Sequence, residues 1–133
     1  MRKEEKNIEK LFTDTGFVNE KEVVETLEPF VLIQRQNKEI FLKNVERLTV
    51  EEKIIAYALA KKLLKIKGHI DDNIISASEI HKKIGIKKGS VDYAFKRLRE
   101  SGLLVGRGKN YEVPNHKVDK IVKQLKQLKS KTK

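Results

Sequence analysis

Cysteine is absent from this chain, and its absence excludes disulfide bonds and thiolate metal sites. No run of about 18 apolar residues occurs, so the sequence predicts no membrane-spanning segment. The N-terminus is charged and lacks the apolar core of a signal peptide. We therefore expect a cytoplasmic protein that does not associate with membranes.

The side chains that enzymes and metal sites need are scattered or missing. His69, His81 and His116 fall in separate segments and lack the spacing of metal ligands. The glycines are explained by turns, and no phosphate-binding glycine loop is present. No Ser-His-acid or Cys-His set can be nominated. The sequence therefore predicts no enzymatic activity, no metal and no cofactor.

The net charge of +11 is unevenly distributed along the chain. Residues 1–85 carry 16 Lys and Arg against 15 Asp and Glu, whereas residues 86–133 carry 14 Lys and Arg against four Asp and Glu. Such a concentration of one sign is typical of a surface that binds a polyanion. The alternative is a lysine-rich solvated surface that only keeps the protein in solution.

The first third of the chain predicts two short helices and a β-hairpin. One helix covers Arg2–Phe12. Another begins after Asn19, where Glu22 completes a capping-box pattern, and ends before Pro29. Its expected apolar edge consists of Val23, Val24 and Leu27.

The hairpin is predicted from the apolar runs Phe30–Ile33 and Ile40–Leu42. No recognisable chemistry lies in this first third. It either surrounds the core or forms a sensing, docking or oligomerisation module.

Thr49 and Glu52 form a second capping-box pattern and open the strongest helix of the sequence. This helix is expected to continue to about Lys67, where Gly68 can end it. Its apolar residues recur at helical spacing and are Ile55, Ala58, Leu59, Leu63 and Ile66. Lys61, Lys62 and Lys65 lie among them and make the helix amphipathic.

From Ile74 onward, a short apolar stretch is followed by two helices and a hairpin. Ser76 and Glu79 give a third capping-box pattern for the first helix, and Gly85 supplies the left-handed residue that ends it. The second helix has an apolar face of Val91, Phe95 and Leu98. The hairpin strands are Leu103–Val105 and Tyr111–Val113, which flank a short basic tip.

The segment Ile74–Pro114 resembles the winged helix-turn-helix superfamily. The matching residues are Ser76, Glu79, Ile80, Gly85, Ile86, Val91, Lys96–Glu100 and Gly102–Leu104. With the preceding helix, the resemblance covers about half of the chain. It implies an α+β fold with a winged-helix core at residues 46–114, a helix and hairpin segment at 1–45, and a C-terminal amphipathic helix at 115–133.

The resemblance also implies a recognition helix from about Lys88 to Ser101 and a DNA-binding wing. In such a helix the residues near the N-terminus meet base edges, and the flanking cations meet phosphates. The expected DNA-binding residues are Lys87, Lys88, Ser90, Asp92, Tyr93, Lys96, Arg97, Arg99, Arg107 and Lys109.

Two of these residues depart from the pattern of the superfamily. Lys87 stands where a Ser or Thr N-cap is usual, which leaves open a helix start nearer Ser90. Asp92 lies in the middle of the base-reading face. It can accept a hydrogen bond from a cytosine amine, but it repels phosphates and leaves open a role in docking a protein.

The C-terminal segment Lys117–Lys129 predicts one more amphipathic helix. Its apolar stripe consists of Val118, Ile121, Leu125 and Leu128. The stripe either packs on its own domain or pairs with a second subunit. A homodimer through this stripe or through the N-terminal segment is therefore one expectation for the assembly.

The favoured function is that of a sequence-specific transcriptional regulator whose partner is duplex DNA. Two alternatives stay open at this point. One is an RNA- or ribosome-binding winged-helix protein, and the other is a protein-docking module of replication or transcription machinery.

Overall fold

The computed structural model describes residues 18–107 and 109–131, with the backbone alone given for Arg107 and for residues 129–131. This part of the chain is an α+β fold with five α-helices and two small antiparallel sheets. The helices are α1 (Glu20–Leu27), α2 (Val50–Ile66), α3 (Ala77–Ile84), α4 (Lys88–Glu100) and α5 (Val118–Lys131). The strands are β1 (Val31–Ile33), β2 (Ile40–Leu42), β3 (Ile75–Ser76), β4 (Val105–Arg107) and β5 (Asn110–Glu112).

Short 3₁₀ turns at Val45–Arg47 and Asn115–Lys117 lead into α2 and α5. The predicted helix Arg2–Phe12 lies outside the described residues. Within the described residues, no helix has the length and apolar character needed to cross a membrane.

Helix α1 begins where the sequence predicts, because the Asn19 side chain accepts a hydrogen bond from the backbone N–H of Glu22 at 3.2 Å. The Glu22 carboxylate does not complete the capping box and instead pairs with the Lys126 ammonium of α5 at 2.8 Å. The predicted apolar edge is wrong at Val24, which is 50% exposed, whereas Thr26 is buried in its place. The Thr26 hydroxyl tolerates burial because it donates to the Glu22 carbonyl.

The predicted first hairpin is confirmed, with β1 and β2 paired antiparallel and Ile33 opposite Ile40. Its loop lacks the Asn-Gly signal of a tight turn. Asn37 supplies the turn instead, because its side-chain oxygen accepts from the Glu39 backbone N–H at 2.9 Å. Lys38 adopts a left-handed backbone with φ of 59°.

Helix α2 begins at the predicted capping box, in which both the Thr49 and the Glu52 hydrogen bonds are formed. Its environment differs from the predicted one-sided arrangement. Every residue from Ile54 to Ala60 is buried, because α1, the first hairpin, α4 and α5 all pack around this helix. Alanines within this stretch let the neighbouring elements approach closely.

Two individual predictions for α2 are wrong. Ile66 is 38% exposed, whereas Lys62 is only 6% exposed. Burial lowers the pKa of Lys62, and the nearby Glu112 carboxylate opposes this shift. A lysine can occupy such a position because its long aliphatic stem packs like an apolar side chain.

The second sheet has the strand order β3-β5-β4, and both of its pairings are antiparallel. Helices α3 and α4 lie between β3 and β4 in the chain and contact each other along their lengths. The turn between them is made at Gly85, whose φ of 78° confirms the predicted left-handed end of α3. Ile86 is partly buried in this turn, against the core.

The stripe on α5 packs on its own chain. Val118, Ile121 and Leu125 are at most 2% exposed, Leu128 is partly buried, and α5 contacts α1 and α2. Packing on the same chain is thus the arrangement seen for this stripe, and a homodimer through it stays a prediction. A homodimer through the N-terminal segment stays a prediction.

The buried apolar residues of the part of the chain that the structure describes belong to one cluster. It includes Phe30 and Ile40 from the first third of the chain and Leu125 from α5. The three segments separated at residues 46 and 115 thus contribute to one continuous core.

Candidate nucleic-acid interface

Helix α4 presents one buried face and one charged face. Val91, Ala94, Phe95 and Leu98 are buried, which confirms the predicted apolar face and adds Ala94 to it. The helix starts at Lys88 although the N-cap residue Lys87 makes no side-chain capping bond. The exposed residues that were predicted to bind DNA are Lys88, Ser90, Asp92, Tyr93, Lys96, Arg97 and Arg99.

The β4–β5 hairpin is held against α4 by an aromatic contact. The rings of Phe95 and Tyr111 lie 4.6 Å apart between centroids and are tilted by 39°. Gly106 makes room for this arrangement, since a side chain there would overlap the Asn110 carbonyl oxygen and the Tyr111 ring. Gly106 is thus required by the packing of the hairpin itself.

A groove of about 650 Å³ separates α4 from the hairpin and from the start of α3. Its lining residues are Ser76, Ala77, Ser78, Lys88, Asp92, Phe95, Lys96, Arg99, Lys109, Asn110 and Tyr111. We call this feature the α4–hairpin groove. Five of the predicted DNA-binding residues meet there.

The groove contains four cations, which are the side chains of Lys88, Lys96, Arg99 and Lys109. Within the described residues none of them forms a salt bridge, although Asp92 lines the same groove. By contrast, the described salt bridges occupy cations elsewhere on the protein. The groove therefore offers a positive potential that no described carboxylate neutralises by direct pairing.

Tyr93 and Arg97 lie outside the groove, on the flank of α4 that faces α2. The Arg97 guanidinium donates to Glu51 of α2 at 2.8 Å and to the Tyr93 hydroxyl at 3.4 Å. Its carbon also lies 5.8 Å from the centre of the Tyr93 ring. The sequence predicted Arg97 as a DNA-binding residue, and this stays a prediction; in the structure its guanidinium is paired with the Glu51 carboxylate.

The remaining predicted residues fall into two groups. Lys87 and Ser90 are exposed on α4 but do not line the groove. The backbone of Arg107 lies in β4, and its side chain is outside the described residues.

Six of the eleven residues that line the groove were not predicted as site residues, and Ser78 and Asn110 are two of them. The sequence offers little reason to assign a binding role to Ser78 or Asn110, because local structure explains a serine after a helix N-cap and an asparagine in a hairpin.

Helix α3 is anchored beside the groove by a charged cluster. The Glu79 carboxylate accepts from the Tyr57 hydroxyl at 2.6 Å and from the Lys61 ammonium at 2.7 and 2.9 Å. Ser76 caps the helix through the Glu79 backbone N–H at 3.1 Å. Glu79 therefore does not complete the predicted capping box, because its side chain ties α3 to α2.

The described residues include no group of three or more His, Asp or Glu side chains that could hold a metal ion. No protein family, no curated protein and no solved structure matches this chain. The cationic residues of the α4–hairpin groove are suited to binding an anion along an extended surface.

Proposed function

We propose that this protein is a winged helix-turn-helix protein that binds duplex DNA sequence-specifically, regulates transcription and catalyses no reaction. The observation that carries the proposal is the α4–hairpin groove with its four cations, none of which is in a salt bridge with another described residue. In this reading α4 is the recognition helix and the β4–β5 hairpin is the wing.

The element order supports the winged-helix part of the proposal. A helix (α2) precedes a short strand, a helix–turn–helix pair and a hairpin, and β3 pairs with that hairpin into one sheet. In winged-helix proteins, elements in this order let a second helix read the major groove while the wing reaches the neighbouring backbone or minor groove.

The geometry of the groove suits a duplex. An α-helix with its side chains is about 10–12 Å wide, close to the ~12 Å width of the major groove. With α4 in the major groove and the wing beside it, the α4–hairpin groove borders one sugar–phosphate strand and the base edges next to that strand. Lys88, Lys96, Arg99 and Lys109 then face phosphates of that strand.

The salt dependence of binding tests this proposal. Each neutralised phosphate contributes about −0.9 to the slope of log K against log salt concentration, so four contacts predict a slope of about −3.6. The Lys96→Ala/Arg99→Ala variant should bind more weakly and show a slope of about −1.8. Fluorescence anisotropy with a labelled duplex measures both quantities.

The matched control is Lys120→Ala/Lys123→Ala, which removes the same charge from α5, outside the groove. It should retain nearly the wild-type slope. If both variants lost affinity and slope to the same extent, binding would depend on the net charge of the protein and not on the groove. Preference for structured RNA over duplex, or binding to neither, would replace the proposal with the RNA-binding or the protein-docking alternative.

A further inference from the structure

Asp92 is a carboxylate inside a groove that otherwise presents cations. It lines the α4–hairpin groove together with Lys88, Lys96, Arg99 and Lys109. The side chain is exposed, and within the described residues it makes no hydrogen bond and no salt bridge. Elsewhere in the structure, carboxylates form salt bridges with nearby cations, as Glu51 does with Arg97 at 2.8 Å.

A carboxylate at this position opposes the function proposed for the groove. It repels phosphates and weakens binding to any sequence unless it gains a hydrogen bond in the complex. An ionised carboxylate can only accept hydrogen bonds, so it needs a donor on the nucleic acid. In the major groove the only donors on the base edges are the amino groups of cytosine and adenine.

Of these two donors, cytosine suits a carboxylate better. Adenine presents its amino group beside the N7 acceptor, which repels the second carboxylate oxygen. Cytosine presents its N4 amino group with no acceptor of its own next to it on that edge. Asp92 lies in the first half of α4, the part of a recognition helix that approaches base edges.

We propose that Asp92 is a specificity-determining residue that accepts a hydrogen bond from the N4 amino group of a cytosine. This inference rests on the proposed function and assigns a base to one position of its site. The carboxylate lowers affinity for sequences without a cytosine at that position, and the four cations supply the affinity that is common to all sequences.

A structural role for Asp92 makes different predictions. Lys88 and Lys96 are four residues away on either side, a spacing at which ion pairs stabilise helices. Neither pair is formed in this structure. If helix stabilisation were the role of Asp92, its removal would lower thermal stability and leave base preference unchanged.

The test is selection of binding sites from a random duplex library by the full-length protein and two variants. Wild type should select sites with a cytosine at one position, and replacing that base pair should weaken binding by about 10-fold or more. Asp92→Asn should lose this preference to within about 3-fold. Its affinity for duplexes of mixed sequence should rise, because the repulsion of phosphates is removed.

Glu100→Gln is the matched control, since Glu100 is an exposed carboxylate of the same helix outside the groove. It should keep the cytosine preference. Identical selected sites for wild type and Asp92→Asn would overturn the inference about Asp92 while leaving DNA binding intact. Absence of duplex binding by the wild-type protein would overturn the proposed function and this inference together.

Discussion

At the scale of single residues, the contact between Tyr57 and Glu79 joins the central helix to the helix–turn–helix pair. The Tyr57 hydroxyl donates to the Glu79 carboxylate at 2.6 Å, and the Tyr57 side chain is only 4% exposed. Burial raises the pKa of Tyr57, and the adjacent Glu79 carboxylate raises it further. The folded structure therefore favours the neutral, protonated form of the Tyr57 side chain.

Tyr57→Phe should lower the free energy of unfolding by about 1–2 kcal/mol at pH 7, because the variant loses a hydrogen bond to a charged group. The loss should depend on pH in a defined direction. Since the folded pKa lies above the unfolded value of about 10, the stabilisation is complete below pH ~10 and declines as pH rises beyond it.

Urea unfolding of wild type and Tyr57→Phe at pH 7 and pH 11 measures this difference directly. The difference in the free energy of unfolding between wild type and Tyr57→Phe should be smaller at pH 11 than at pH 7. A difference that stays constant would show that the raised pKa of Tyr57 makes no contribution to folding.

At the scale of elements, two glycines at either end of the α3–α4 turn have opposite roles. Gly85 has a φ of 78°, a conformation that a side chain disfavours, although no atom lies within 4 Å of an added Cβ. Gly89 lies in the first turn of α4 and also has open space around it. Backbone conformation alone therefore distinguishes them.

Gly85→Ala should destabilise the protein by about 1 kcal/mol, which corresponds to roughly 3–5 °C in Tm. Gly89→Ala should instead raise Tm slightly, because alanine favours the helix and reduces the freedom of the unfolded chain. Thermal denaturation followed by circular dichroism compares the two variants. A loss of stability in both would indicate that Gly89 needs a conformation or contact that alanine does not permit.

The elements themselves were largely predictable from local sequence. The caps at Asn19, Thr49 and Ser76 and the turn at Gly85 depend on residues a few positions apart, and each starts or ends a helix where expected. The second hairpin was recognised from its apolar runs and its glycine-containing tip, but its strand bounds were wrong. The strands are Val105–Arg107 and Asn110–Glu112 rather than Leu103–Val105 and Tyr111–Val113.

Contacts between distant residues were not predictable in the same way. The partner of Arg97 is Glu51, 46 positions earlier, and the partner of Tyr57 is Glu79, 22 positions later. Lys62 was expected on a polar face and is buried, since helical spacing does not reveal how many elements surround a helix. Five of the ten predicted site residues line the groove because they share one side of α4 or lie on the facing hairpin.

At the scale of the whole molecule, part of the positive charge that the sequence concentrates after residue 85 lies in one groove of the surface. The cations of the last third include the four that line the α4–hairpin groove, while the first third contributes mainly to the shared core and to salt bridges. One core contains residues of α3 and α4 and a residue that follows the second hairpin, namely Ile80, Phe95 and Val113. Walls that are anchored in one core favour a groove that needs little reorganisation when it binds an anionic strand.

The most direct measurement is protection of the groove by duplex DNA. Because the natural chain has no cysteine, Ser78→Cys introduces a single thiol in the groove, and Gln36→Cys introduces one in the loop between β1 and β2. The rate at which an uncharged maleimide modifies each thiol is measured with and without saturating duplex.

If the α4–hairpin groove holds the DNA backbone, duplex should slow modification at position 78 by about 10-fold or more and leave position 36 nearly unchanged. This order of effect follows from exclusion of the reagent by a strand packed against the groove. Binding of duplex that leaves the rate at position 78 unchanged would contradict the assignment of the groove as the DNA-binding site.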